Sequence, residues 1–540
     1  MLCRTPWWSW LWLCLPWLPA QEAPPAPNPA TPQTPAPTTT ADGKFPRPEL
    51  GAPAPVPEGA PPHLRLIDRD TLRNHTYWLA DDARAGRYTT SKAQQETVKY
   101  ITAHFQKLGL KPLGDKKGFV QSYPLLRVQL DANTALQFGE HKISANFAVF
   151  GAKDDEKLSL SGRFAWCGNG SAEQVPPNLG GRLPVVALHK PPPMAGTSGD
   201  LQAVQRYREL GKRLRSAGAT VGVVCLLADH SSLGNTLNYH GLLPDHPKLR
   251  TPNGGGGSGG EGDAVPLFIL PAASGRLLLA HLGVSLDQDG APAGAQTEDK
   301  ASGKLSLTVK ADDKALGSNV VAVLEGKSKK AEAVVFSAHH DHIGQRLDGD
   351  AFNGADDNAS GTAGLLEIAE AFAKGGDRPE RSIVFLSVSG EELGLWGSDW
   401  FGEHPTWPLD KIVANVNIDM IGRAGTDPQR IDLQVTPSHL HEKFSTLVRE
   451  GVQLGKHFGI TWSSGDQYYH RSDHYNFAKR GVPVVFFCDG EHPDYHQVGD
   501  HPDRLDYAKM EAIARLAFWS GWLAAQQKGR PQELGAQANW

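Results

Sequence analysis

Four runs in the second half of the chain, Ala333–Ala338, Ser382–Ser389, Ile412–Ile418 and Val482–Phe487, are apolar with almost no polar alternation. Strands of that kind cannot face water on either side, so they require a sheet covered on both faces. A helix is legible among them. Gly361–Lys374 follows Ser360, carries Leu365, Leu366, Ala369 and Phe372 at helical spacing, and is followed by Gly375, which supplies a polar start and a glycine stop. From Leu305 onward the expected fold is α/β: a mixed, largely parallel sheet with helices on both faces.

Ligands of open α/β sheets gather at the carboxyl ends of strands. There the chain places SAHHDHIG (337–344), VSGEELGLWGS (388–398) and VNIDMIG (416–422), with NGADDNASG (353–361) and PDYHQVGD (493–500) in loops. His339, Asp357, Glu392, Asp419 and His496 supply two imidazoles and three carboxylates, a donor set suited to two zinc-like ions sharing one carboxylate. His339 directly follows a strand, and Asp341 can orient its ring. His340 and His342 are rival ligands. Asp357 is the expected bridge, with Asp356 as the alternative. A carboxylate after Val413, Val416 and Ile418 needs a positive partner, so Asp419 requires a cation or Arg423. His492 and His501 compete with His496. Glu391 is placed to take the proton of a metal-bound water and pass it on, and Tyr495 can donate to a developing oxyanion.

The rest of the chain bounds compartment and organisation. With 540 residues and a net charge of −5, two or more domains are expected, and no basic stripe indicates nucleic acid. Residues 1–20 hold Arg4, a Trp/Leu-rich run and Ala20, the pattern of a secretory signal. The run is too short, and interrupted by Pro16 and Pro19, to span a membrane. Export is therefore expected, with no stable membrane insertion once the signal is removed. Cys14 follows Leu13 rather than a small residue, which argues against lipid attachment. Cys167, Cys225 and Cys488 form neither a disulfide framework nor a metal site by spacing. Residues 21–63, rich in Pro, Ala and Thr, read as an extended linker, with order beginning near His63. Ala93–Leu108 reads as a helix with Val98, Ile101, Phe105 and Leu108 on one face; with no strands of its own to cover, it must pack on a later part of the chain. Residues 119–300 mix short strands (Lys157–Leu160, Leu183–Leu188, Thr220–Leu227, Val265–Leu270) with a helix at Asp200–Ala217 and a flexible Gly-rich loop at 253–260. They read as an inserted binding or lid module.

Together these motifs resemble the M28 family of zinc metallopeptidases, over about 64–118 and 301–525. The resemblance implies that His339 and Asp419 hold one zinc, Glu392 and His496 the other, and that Asp357 bridges. It gives Glu391 the general acid/base role and Tyr495 the oxyanion contact, and implies a cis peptide at Asp357–Asn358. It also implies peptide substrates, attacked by a water bridging two zinc ions, with a free α-amine beside the metals. AGATVGVVCLL (217–227) and AVPLFILPAASGRLLLAHL (264–282) resemble a protease-associated domain. RSDHYNFAKRGVPVVFF (471–487) is similar to the family segment before the last histidine, which brings Asp473 and His474 near the substrate pocket. The expected organisation is a signal (1–20), a linker (21–63), an N-terminal peptidase part (64–118), a β-rich protease-associated-like insert (119–300), the catalytic domain (301–526) and a tail (527–540). Other activities on this fold are a carboxypeptidase or dipeptidase and a glutaminyl-cyclase-like aminoacyltransferase with one zinc. A non-catalytic peptidase-like binding protein is the reading from another class, but no ligand or base is missing.

Overall fold

A computed structural model of the chain describes residues 45–189, 197–227, 237, 240–244, 246–252, 263–295, 301–427 and 430–540. The expected signal, the first part of the linker and the Gly-rich loop lie outside the described residues.

The catalytic half is built on the expected sheet. Across it run Val120–Leu130, Ser302–Leu324, Arg381–Val388, Lys329–His339, Ile412–Ile418, Val484–Cys488, Ile431–Thr436 and Ile460–Ser464. The four central strands, Arg381–Val388 through Val484–Cys488, are mutually parallel. Antiparallel strands flank them on both sides.

Alternation along each strand divides the core between the two faces. Phe336 and Phe385 point one way and meet Phe372 of the helix Gly361–Lys374, with ring centroids 5.5 and 6.1 Å away. Phe105 of the helix Lys92–Lys107 reaches Phe385 at 6.0 Å, so the early helix does cover a sheet formed hundreds of residues later. Phe518 of the helix Tyr507–Gln526 closes the layer at 4.3 Å from Phe372. On the opposite face Val335, Val384 and Leu386 pack with Phe401 and Phe477.

The amino-terminal segment is placed earlier than the linker reading suggests. Its carbonyls at Gly51 and Ala54 accept from Arg69 and Arg515. Both guanidiniums also meet the buried Glu511, at 2.5 and 2.9 Å. A proline-rich stretch can be held this way because its carbonyls remain free to accept.

A further sheet has Lys157–Trp166, Leu183–Leu188, Gly222–Leu226 and Leu267–Leu270 parallel in that order. Ala148–Phe150 pairs antiparallel to the last of these. The strand Ser302–Leu324 pairs with Lys157–Arg163 at one end and Ile383–Ser387 at the other, so one long strand belongs to both sheets. Cys167, Cys225 and Cys488 are buried free thiols. Among the described residues no helix is long and apolar enough to cross a membrane.

One buried acid ties fold stability to pH. Glu367 accepts from the Asp68 N–H at 3.1 Å and lies 3.9 Å from His75 Nε2. Burial raises its carboxyl from 4.5 to about 8. Between those values the unfolded chain releases a proton that the folded chain keeps, so stability falls as pH rises, by about 1.4 kcal/mol per unit. In denaturant melts from pH 5 to 8 the stability of the parent relative to Glu367→Gln should fall with this slope, leaving the variant the more stable of the two at pH 8.

Candidate metal centre

The strand ends bring the expected side chains into one buried cluster. His339 is the last residue of its strand, and its Nε2 lies 3.2 Å from Asp419 Oδ1, 3.3 Å from Asp357 Oδ1 and 3.9 Å from Glu391 Oε2. The other oxygen of Asp357 meets His496 Nε2 at 3.1 Å, and His496 Nε2 is 3.1 Å from Glu392 Oε2. Asp357 thus sits between two imidazoles, one per carboxylate oxygen.

The rival residues are separated by the structure. The ring of His340 turns away, with Nδ1 2.9 Å from Ser387 Oγ and Nε2 2.9 Å from Gln94. Burial lowers its pKa to about 4, so it is a neutral core histidine. His342 stays at the cluster: its Nδ1 is 2.6 Å from Glu392 Oε1 but 4.0 Å from Asp357 Oδ2. Asp356 faces the other way, accepting from Gly422 N at 2.7 Å and lying 3.3 Å from His492 Nε2. Asp341 holds His339 in a manner the sequence did not anticipate. Nδ1 of His339 is 3.2 Å from the Asp341 carbonyl oxygen and 3.6 Å from its carboxylate. The carboxylate instead accepts from Thr89 Oγ1 at 2.9 Å, and the Thr89 hydroxyl accepts from Gly390 N.

The loop carrying Asp357 is fixed by its neighbours. The peptide Asp357–Asn358 is cis. Asp500, unremarked in the sequence beyond its motif, accepts from the N–H groups of Asp356 and Asp357 at 3.0 and 3.1 Å. At the start of the helix Gly361–Lys374 the Gly361 N–H donates to Asn358 Oδ1 at 2.8 Å, and the Ser360 side chain does not cap the helix. Ser360 Oγ instead donates to the Asp356 carbonyl and accepts from Ile421 N.

Arg87 is the largest omission from the sequence reading. Fully buried, it donates to the carbonyls of Leu79, His340, Asn353 and Gly354 at 2.6–3.1 Å. It therefore joins the histidine loop to the loop of Asp357, and its charge faces Asp357, Asp500, Asp341 and Glu392. Gly86 makes the approach possible: at φ +66°, a Cβ there would lie 1.9 Å from the Gly344 carbonyl oxygen. Arg87→Met strands four buried carbonyls and one compensating charge, and should cost about 3–5 kcal/mol. Chemical denaturation measures this loss, which should exceed that of Arg84→Met at the partly exposed pair with Glu96.

Electrostatics shows what the cluster lacks. Burial pushes the Glu391 carboxyl well above its ordinary range; His339 opposes this, while Asp419, Asp473 and Glu392 add to it. Burial also raises Asp357, but its hydrogen bonds to His339 and His496 hold it well below the usual carboxylate value. His496 is disfavoured as a cation by burial, yet Glu392 and Asp357 lift it to about 10. Buried carboxylates at this density need cationic partners. His339, Asp357 and Asp419 form one group of mutually close donor atoms, and His342, Asp357 and Glu392 a second, each suited to a metal ion. The mixed nitrogen and oxygen set fits zinc.

A small cleft of about 50 Å³ opens beside these groups. Met420, Phe486, Cys488 and Tyr468 line it with Asp357, Glu391 and Asp419. Tyr495 also lines it and stacks on His496 with ring centroids 3.9 Å apart. Burial, then Asp357 and Glu392, push its phenol well above the ordinary value, so it remains an O–H donor. Asp473 and His474 are buried behind this wall, His474 stacked on Phe486 at 4.5 Å.

Residues 319–519 match the family described as Peptidase family M28. A probable leucine aminopeptidase of Arthroderma otae is 29% identical over 206 residues, covering 37% of this chain and 55% of that protein. Aminopeptidase YwaD of Bacillus subtilis is 22% identical over 241 residues, covering 43% and 50%. The chain thus matches about half the length of these curated relatives. Among solved structures, a zinc aminopeptidase from Bacillus subtilis aligns with a TM-score of 0.53 and 18% identity over 86% of this chain and 97% of that one, a likeness of fold.

Proposed function

We propose that the chain is an exported zinc aminopeptidase with two ions per molecule, hydrolysing the N-terminal peptide bond of peptides. The observation that carries this reading is the placement of Asp357, one oxygen toward His339 and the other toward His496, with Asp419 and Glu392 at the two ends. His339 and Asp419 would hold one ion, Glu392 and His496 the other, and Asp357 both. His496 is preferred to His342 because it reaches both Asp357 and Glu392 at 3.1 Å. His342, bonded to Glu392 alone at 2.6 Å, orients that carboxylate in the way supporting groups hold metal ligands. Relatives named as aminopeptidases and zinc metalloproteases support the choice of reaction and metal.

Bound zinc would polarise the scissile carbonyl and acidify the attacking water. Glu391 lines the cleft beside Asp357 and Asp419 and would take the proton from that water, then deliver it to the leaving amine. Zinc beside this carboxylate would favour its ionised form and offset the neighbouring acids. Tyr495 would donate its O–H to the oxyanion. Met420, Phe486 and Tyr468 offer an apolar wall to the first side chain of the substrate. Export rests on the apolar run and Ala20 within residues 1–20, and the insert is read as a protease-associated-like module from residues 217–227 and 264–282.

Peptides with free and acetylated N-termini test the reaction. Cleavage of the free series alone, abolished by a chelator and restored by zinc, is expected. Equal cleavage of both series contradicts the aminopeptidase reading, and cyclisation of N-terminal glutamine without hydrolysis replaces it with an aminoacyltransferase.

A further inference from the structure

Every polar atom of Ser389, which stands two places before Glu391, has a partner. Its N–H donates to Asn319 Oδ1 at 3.3 Å, its Oγ accepts from Ser318 N at 3.1 Å, and its carbonyl oxygen accepts from Gly397 N at 3.0 Å. A further partner comes from far along the chain. Tyr123, 266 positions earlier in the strand Val120–Leu130, holds its hydroxyl oxygen 2.9 Å from the Ser389 carbonyl and 3.0 Å from Ser389 Oγ. A carbonyl has no proton to give, so the phenolic O–H donates to it. The Ser389 hydroxyl is left to donate to the phenolic oxygen, and the bonds run in one sense: Ser318 N–H to Ser389 Oγ, Ser389 O–H to Tyr123, Tyr123 O–H to the Ser389 carbonyl. Tyr123 is 2% exposed, and burial pushes its phenol well above the ordinary value, so it stays a donor.

The same hydroxyl limits the next residue. Gly390 turns the chain at φ +70°, and a Cβ there would lie 2.6 Å from the Tyr123 hydroxyl oxygen. Tyr123 thus fills the space in front of the turn. On its other side Thr89 Oγ1 accepts from Gly390 N at 3.1 Å and Asp341 Oδ1 from Glu391 N at 3.4 Å. The phenolic bond is the shortest of these, and only its loss opens room for Gly390 to swing. Glu391 leaves the turn to line the metal cleft, which Tyr123 does not reach. A reacting group displaced by about 1 Å can lose about a hundredfold in rate, even when the change lies away from the chemistry.

We propose that Tyr123 is a positioning residue for Glu391: its hydroxyl locks the turn Ser389–Glu391 and so aims the carboxylate at the attacking water. The inference rests on the proton-transfer role given above to Glu391.

Tyr123→Phe tests it, since the change removes one oxygen and keeps the ring in its cluster with Tyr88, Leu125 and Trp400. The assay uses the full-length, zinc-loaded protein and the free-amine peptide that the parent cleaves fastest. There kcat should fall about tenfold, with KM and zinc affinity within twofold of the parent. Residual turnover of Glu391→Gln should be the same with and without Tyr123→Phe, because a residue acting through Glu391 has nothing further to lose once the base is gone. A general loosening of the fold would add its own loss in both backgrounds. A second readout is independent of turnover. Backbone amide exchange over residues 389–397 should quicken at least tenfold in Tyr123→Phe, while the helix Gly361–Lys374 exchanges as in the parent. Failure of the proton-transfer reading shows as parent-like turnover in Glu391→Gln; failure of this inference shows in Tyr123→Phe itself. Parent kcat in that variant, parent exchange over 389–397, or an undiminished tenfold loss in the Glu391→Gln background overturns the proposal.

Discussion

Glu391→Gln should lower kcat by about two to four orders of magnitude, the contribution typical of a positioned general base. The change keeps the size of the side chain and the backbone bond from Glu391 N to Asp341 Oδ1. It removes only the oxygen able to take a proton. Glu391 Oε2 lies 3.9 Å from His339 Nε2, beyond the closer contacts made by Asp357 and Asp419. Zinc content should therefore remain that of the parent, and KM should move far less than kcat. Turnover within a few-fold of the parent, at equal metal content, removes Glu391 from its assigned role.

Asp357→Asn should have the larger effect on the metal. The parent carboxylate offers one oxygen toward His339 and the other toward His496. An amide offers one oxygen and a nitrogen that cannot bind, and it carries no charge. Loss of a supporting hydrogen bond usually weakens metal binding by about 10–100-fold; loss of a bridging ligand should exceed that range and leave at most one tight ion. Competition with a chromophoric chelator gives the affinities. Two ions bound as tightly as in the parent would show that Asp357 does not bridge.

Much of this architecture was legible because burial on both faces leaves a plain trace. Leu183–Leu188 and Ile412–Ile418 are the predicted strands, and Gly361–Lys374 is the predicted helix, to the residue. Half-exposed strands were harder. Lys157–Leu160 continues to Trp166 because Ser302–Thr308 pairs along it, and its polar Ser159, Ser161 and Arg163 mask that continuation. Val120–Leu130 contains Pro124 and Arg127, yet joins the central sheet through the long strand Ser302–Leu324. The structure joins the proposed metal ligands as the motifs implied. Their supports left no local signal. Arg87 and Thr89 act on residues about 250 positions away, and Asp500 on a loop about 140 positions earlier. In HHDH a histidine at any of three positions satisfies the same pattern, and only the fold sends His340 to Gln94 and Ser387 while keeping His342 against Glu392.

Anomalous diffraction from crystals grown with zinc tests the centre itself. The expected map has two peaks about 3.5–4 Å apart, one on His339 and Asp419, the other on Glu392 and His496, with Asp357 touching both. A single peak, a second peak away from these side chains, or Asp357 bound through one oxygen to one ion would contradict the account.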